Sequence, residues 1–411
     1  MTRLLITISA LLMLTSGCAV QEIVIAEETQ LVVAPSSIDE ALLLDVGIVE
    51  FDPQIPEDND VGKTGIYEDI RRAEAKYLPY HLKTTLQGTG NWGAVRVIPS
   101  AKAFTDIIVH GAIDKSDGEY VELEVVVSDA AGRHWFTRTY ETQTGLSSYS
   151  KRRDRSRDPY QKVFNDLAND IYAHATAMEA NQLTQIRQVS ELQFFADMAP
   201  SVYNDYLSSD KDGVVSVVRL PAENDPSVAR MRQIRERDRL VVDTLNEHYA
   251  NFYYGIAIPY NSWRKTSRAE TVKYRQEKRS AALQAVVGVV VLAGSTQIDT
   301  NGSSSRNTNN INRALQYQGI TRGLNTVFGA LQRNREAGLH LDAIAELSES
   351  FGNEAAPMVV NIEGQERRLT GTAEAQYESW RRLLKEIHEA ETGFTSSVEV
   401  GAPARAPEPT S

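Results

Sequence analysis

Cysteine is nearly absent from this chain: of 411 residues only Cys18 carries a thiol. That excludes any intrachain disulfide and any cysteine-built metal site, so stability has to come from packing. Histidine is sparse and scattered. His81, His110, His134, His174, His248, His340 and His388 never fall within five residues of one another, so no local zinc-binding pattern forms. Basic residues are outnumbered, with 43 Lys and Arg against 55 Asp and Glu and a net charge of −12, which argues against nucleic acid as a partner. No Gly-x-Ser-x-Gly elbow occurs. Gly62-Lys63-Thr64 lacks the glycine a phosphate loop needs five residues earlier, where Glu57 stands instead. Asp58, Asp60 and Asp69 fall in an acidic loop, but Lys63 and Gly62 occupy the positions where a calcium loop needs a glycine and an oxygen ligand. No catalytic residue, cofactor or metal site is expected from these patterns.

What is present begins at the N-terminus. Arg3 supplies a positive start, Leu4 to Leu14 a short apolar run, and Ser16-Gly17 small residues ahead of Cys18. About eleven mostly apolar residues are too few to cross a bilayer core of ~30 Å. Leu14-Thr15-Ser16-Gly17-Cys18 resembles the lipobox of bacterial lipoproteins, with Thr15 where leucine is usual. The resemblance implies cleavage after residue 17, acylation of Cys18 and a membrane partner reached through that lipid. Cleavage leaves 42 basic residues against 55 acidic, a net of −13. Ala19 and Val20 follow the cysteine, a pattern similar to that of lipoproteins sorted to the outer membrane, facing the periplasm.

The remaining chain reads as α+β. Residues 18–41 form the lipidated N-terminus and tether. Over 42–150 the order is a buried strand at 42–51, a helix over 66–86, a short strand at 94–98, then strands at 106–114, 119–128 and 133–141. Asp117-Gly118 and Ala131-Gly132 supply the hairpin turns. This predicts an α/β sandwich, a mixed sheet with one helical layer. Pro79 should kink its helix or start a second one. Residues 151–279 read as helical: Asp158 caps a helix with Pro159 at its first position, another spans 180–198, and a third begins at Asp225-Pro226 and ends at Pro259, with a polar helix over 263–279.

Residues 280–335 are expected to form an apolar hairpin of helices 281–294 and 311–331. Ala281 and Ala285, like Gly319 and Gly323, are four apart and would sit on one face. A small C-terminal unit over 336–395 combines a β-hairpin, turning at Glu363-Gly364, with an amphipathic helix over 373–391; residues 396–411 should be disordered. The basic run Lys151-Arg152-Arg153-Asp154-Arg155-Ser156-Arg157 reads as a solvated linker or a contact for anionic head groups. The aromatic group Tyr249, Phe252, Tyr253, Tyr254, Tyr260 and Trp263 reads as helix–helix core or as a platform for stacking glycans.

Phe51-Asp52-Pro53, Arg71-Arg72-Ala73-Glu74-Ala75 and Trp92-Gly93-Ala94-Val95-Arg96-Val97-Ile98-Pro99 resemble a family of uncharacterised proteobacterial outer-membrane lipoproteins. The element order over 42–141 is similar to the N-terminal domain of the translocation protein TolB. It is also similar to the small domains of the lipoprotein activators of penicillin-binding proteins and of the curli secretion lipoprotein. Topology alone does not fix function; with the lipobox resemblance and no catalytic motif, the chain reads as a non-catalytic docking or scaffold component of a cell-envelope complex, with an envelope protein as partner. A strand could be added at the 133–141 edge. The alternative is a homo-oligomeric or pore-like assembly built on the 281–331 hairpin.

Overall fold

The computed structural model describes residues 29–34, 38–150, 157–222, 224–295, 341–349, 358–362 and 365–392. Its centre is a mixed five-stranded sheet. Strands β1 (Val46–Val49), β2 (Val95–Ile98), β3 (Ile107–Ser116), β4 (Tyr120–Asp129) and β5 (His134–Gln143) lie in the order β2-β1-β3-β4-β5. β1 runs parallel to both neighbours, with Val46 opposite Val95 and Ile107, while β3, β4 and β5 form an antiparallel meander.

One sheet face is apolar over most of its area. Val46, Ile48, Val95, Val109, Ile113, Leu123, Val125 and Val127 alternate along their strands and are all buried. Helix α1 (Glu68–Thr89) covers this face with Ile70, Ala73, Tyr77, Leu82 and Leu86; α2 (Gln161–Thr176) adds Val163, Phe164, Leu167 and Ile171. On the opposite face His110 and Glu124 are exposed, and Ile108 and Val126 are half-buried. The expected single helical layer on a mixed sheet is therefore observed, and the protein is α+β.

Helix α3 (Ala180–Met198) matches its expected span. After a short ladder of β6 (Leu207–Ser209) and β7 (Val215–Val217) comes α4 (Pro226–Ser295), one helix of 70 residues. At 1.5 Å per residue it is about 105 Å long. The C-terminal hairpin of β8 (Met358–Ile362) and β9 (Gln365–Leu369) leads into α5 (Ala373–Thr392). That unit packs onto α3 and α4 through Met358, Leu369, Tyr377, Trp380 and Leu384, which share a cluster with Phe194, Met231 and Leu245. Tyr377 and Trp380 both donate to the buried Asp238 of α4, each at 3.1 Å.

Neither proline divides its helix as expected. Pro79 lies inside α1, so the expected second helix does not start there. A proline leaves the carbonyl four residues earlier without its N–H partner. Here that carbonyl, on Ala75, receives the backbone N–H of Phe51 at 2.9 Å, so the lost helical bond is replaced by one that ties the end of β1 to the helix. Pro259 likewise does not end α4.

The Asp158-Pro159 expectation is corrected too. α2 begins at Gln161, and Asp158 is buried, accepting the Tyr160 N–H at 2.8 Å while its carboxylate is engaged across the core. The 281–294 stretch is the uninterrupted continuation of α4, whereas 311–331 lies outside the described residues.

Candidate functional site

A buried ionic seam joins α1, the segment before α2 and the middle of α4. Position 264 falls on the inward stripe of α4 with Tyr249, Phe252, Ile256, Tyr260 and Trp263, all buried. Arg264 meets Asp158 in a two-pronged pair, Nη1 to Oδ1 at 2.9 Å and Nη2 to Oδ2 at 2.7 Å. The rings of Tyr260 and Tyr160 lie 4.2 and 4.8 Å from its guanidinium carbon. Burial pushes the Asp158 carboxyl up, but Arg264 and then His81 outweigh it and hold it well below the usual carboxylate range.

Glu74, fully buried on α1, accepts hydrogen bonds at Oε1 from Tyr260 Oη at 2.6 Å and from Ser116 Oγ. Its Oε2 sits 3.7 Å from Arg71 Nε. Burial raises the Glu74 carboxyl, with Arg71 opposing it. His81 is held between Tyr253 Oη at 2.8 Å and Gln161 Oε1 at 2.9 Å, and burial pushes its imidazole below the ordinary 6.5.

The hairpin turn at Asp117-Gly118 docks onto the same stretch of α4. Ser267 Oγ donates to the Asp117 carbonyl at 2.8 Å. Gly118 has φ +82°, and a Cβ there would meet the Arg264 carbonyl at 2.3 Å, so the turn needs glycine for both conformation and clearance. Beside it opens a cleft of about 480 Å³ between the 61–67 turn and the β3–β4 turn, lined by Tyr67, Arg71, Lys115, Glu122, Trp263 and Ser267. Charges of both signs face it. The seam itself is sealed: Glu74 and Arg264 are 0 % exposed, which suits a clamp between elements rather than chemistry on a substrate.

The sheet edges differ from one another. β2 is covered by α4: the Val97 N–H donates to Asn246 Oδ1 at 3.0 Å, and Arg96 pairs with Asp243 at 2.5 and 3.0 Å. Among the described residues β5 pairs only with β4, and its consecutive residues Thr137, Arg138 and Thr139 are all exposed. Its nearest helical support is underneath, where Arg138 and Tyr140 meet Asp170 of α2. An edge of this kind offers backbone donors and acceptors to an incoming strand.

The chain also enters the body early. Asn165 Nδ2 binds the Thr29 carbonyl at 2.7 Å, Asn169 binds Gln30 and Val32 at 2.8 Å each, and Ala34 N–H reaches the Thr89 carbonyl at 3.1 Å. Residues 29–34 are thereby strapped from the middle of α2 to the C-terminal end of α1.

Of the candidates in the sequence, Cys18, most of the 151–157 basic run and the Gly319 and Gly323 pair lie outside the described residues. Gly62-Lys63-Thr64 forms part of a single helical turn, Val61–Thr64, in which Thr64 Oγ1 is spent on Asn59 Oδ1 at 2.6 Å. Among the described residues no three metal-capable side chains cluster, and no helix is long and apolar enough to cross a membrane. The aromatic group divides: Tyr249, Phe252, Tyr260 and Trp263 are core, while Tyr254 points out. The Asp158–Arg264 and Glu74–Tyr260 pairs, 106 and 186 residues apart, are not visible in sequence. The one hint is an arginine set within the apolar stripe of α4. Comparison with protein-family models, with curated proteins and with solved structures finds no match for this chain.

Proposed function

We propose that this protein is a lipid-anchored, periplasm-facing lipoprotein of the outer membrane that acts as a non-catalytic docking component of a cell-envelope complex. Cys18 is the acylation site, and one envelope protein adds a strand to β5. The observation that carries the docking reading is the inequality of the sheet edges: β2 is closed by α4, while no strand among the described residues pairs with the outer edge of β5. The strapping of residues 29–34 supports the tether. Only residues 19–28 separate Cys18 from the body, and ten residues reach about 35 Å when fully extended. Such a leash keeps the sheet near the membrane and raises its effective concentration toward a partner there.

The test is crosslinking in living cells from a photo-reactive residue at Thr137 or Thr139 of the full-length protein, with Gln233 on α4 as the control position. The expected result is one envelope protein captured from the β5 positions and not from Gln233, with capture lost when Cys18→Ser releases the protein from the membrane fraction. Self-crosslinks alone, or equal capture from Gln233, would overturn the docking reading. Retention of the Cys18→Ser protein in the membrane would overturn the anchor. Of the 51 residues of the rival 281–331 hairpin, 36 lie outside the described residues, and nothing observed among the other 15 favours it.

A further inference from the structure

The outward face of α4 carries a second pattern. From Leu240 to Lys265 its exposed residues recur at alternating steps of four and three, so they form one continuous stripe along the solvent side of the helix. At its middle Tyr254 and Ile258 are 66 % and 77 % exposed, the two highest values for large apolar side chains among the described residues. Between them lies Gly255, in mid-helix, where an added Cβ would meet nothing within 4 Å. Pro259 explains local backbone freedom there, because its ring crowds the Gly255 carbonyl and supplies it no N–H. It does not explain the bare apolar neighbours.

We infer that the protein forms a homodimer through this face, two α4 helices crossing antiparallel about a twofold axis at residue 256. In such a contact the residues equidistant from the axis meet. Tyr254 then packs on Ile258 of the second copy, and Ile258 on its Tyr254. Asn251 meets Asn261, two amides that can each donate and accept. Glu247 meets Lys265, opposite charges placed twice by symmetry. Further out, the exposed Leu240 meets Val272. Apart from Thr244, which falls opposite Arg268, apolar falls on apolar, amide on amide and acid on base, which is the self-complementarity an isologous interface requires. Gly255, beside the axis, lets the two backbones approach. A second copy is the occupant that this symmetry selects, and the site is separate from both β5 and the 281–331 segment.

Sedimentation of the full-length protein in density-matched detergent tests this. The expected species is a dimer, which Ile258→Glu weakens more than tenfold. Glu247→Lys or Lys265→Glu alone weakens it about fivefold to tenfold at low salt, and the double exchange restores it. Because these side chains point to solvent, far-UV circular dichroism should not change, and unfolding midpoints measured at concentrations low enough to hold every form monomeric should not move, so lost association cannot be mistaken for lost fold. A monomer up to about 100 µM, or a dimer indifferent to Ile258→Glu and to the charge exchange, would overturn the inference.

Discussion

Helix α4 has two faces that differ in almost every physical respect across a few residues. Inward, Tyr260, Trp263 and Arg264 are buried, Arg264 is bound at both nitrogens by Asp158, and a hairpin turn comes so close that only glycine fits at 118. Outward, Tyr254 and Ile258 stand in solvent and Gly255 has open space where a side chain would go. Two glycines near one helix thus answer opposite demands, one to a close intramolecular approach and the other to none among the described residues. The lesson is that the inner face fixes the fold, whereas the outer face is free to bind.

The largest effect should come from breaking the inner face. Arg264→Met leaves the buried Asp158 carboxylate without its counter-charge, and such losses cost about 3–5 kcal/mol. Urea unfolding followed by far-UV circular dichroism would read it, and a change below about 1 kcal/mol would remove the seam from its role as clamp. The two glycines offer a finer contrast. Gly118→Ala should destabilise by about 2–3 kcal/mol, through strain at positive φ and displacement of α4. Gly255→Ala should stabilise the monomer by up to about 1 kcal/mol, because alanine is the better helix former. If both shift stability in the same direction, the distinction between the faces fails.

The smallest effect is a pH slope. Burial lowers the His81 imidazole in the folded state, so as pH falls through 6.5 the unfolded chain gains a proton that the folded one does not. Stability from this group is complete above 6.5 and declines as the pH falls toward the folded value. Other histidines are shifted the same way, so His81→Gln should reduce the slope of stability between pH 5 and 7 without abolishing it. An unchanged slope would mean that His81 is protonated equally in both states.

Local patterns determined much of this protein from sequence alone. The alternation of Leu123, Val125 and Val127 marked a strand with one buried face, the turns at Gly118 and Gly132 separated the meander, and α3 runs over its expected 180–198. The C-terminal hairpin and its amphipathic helix were equally legible. Each rests on periodicity or on a residue's own backbone preference, which needs no knowledge of distant chain. Tertiary structure alone decided the rest. Whether Pro79 breaks a helix depends on what takes the Ala75 carbonyl it leaves bare, and Phe51, 24 residues earlier, takes it. Whether Asp158 caps a helix or anchors the core depends on an arginine 106 residues away. Which sheet edge stays open depends on where α4 crosses. A freed carbonyl, a buried charge and an edge strand each carry an unmet bonding capacity, and the partner that meets it is chosen by the fold.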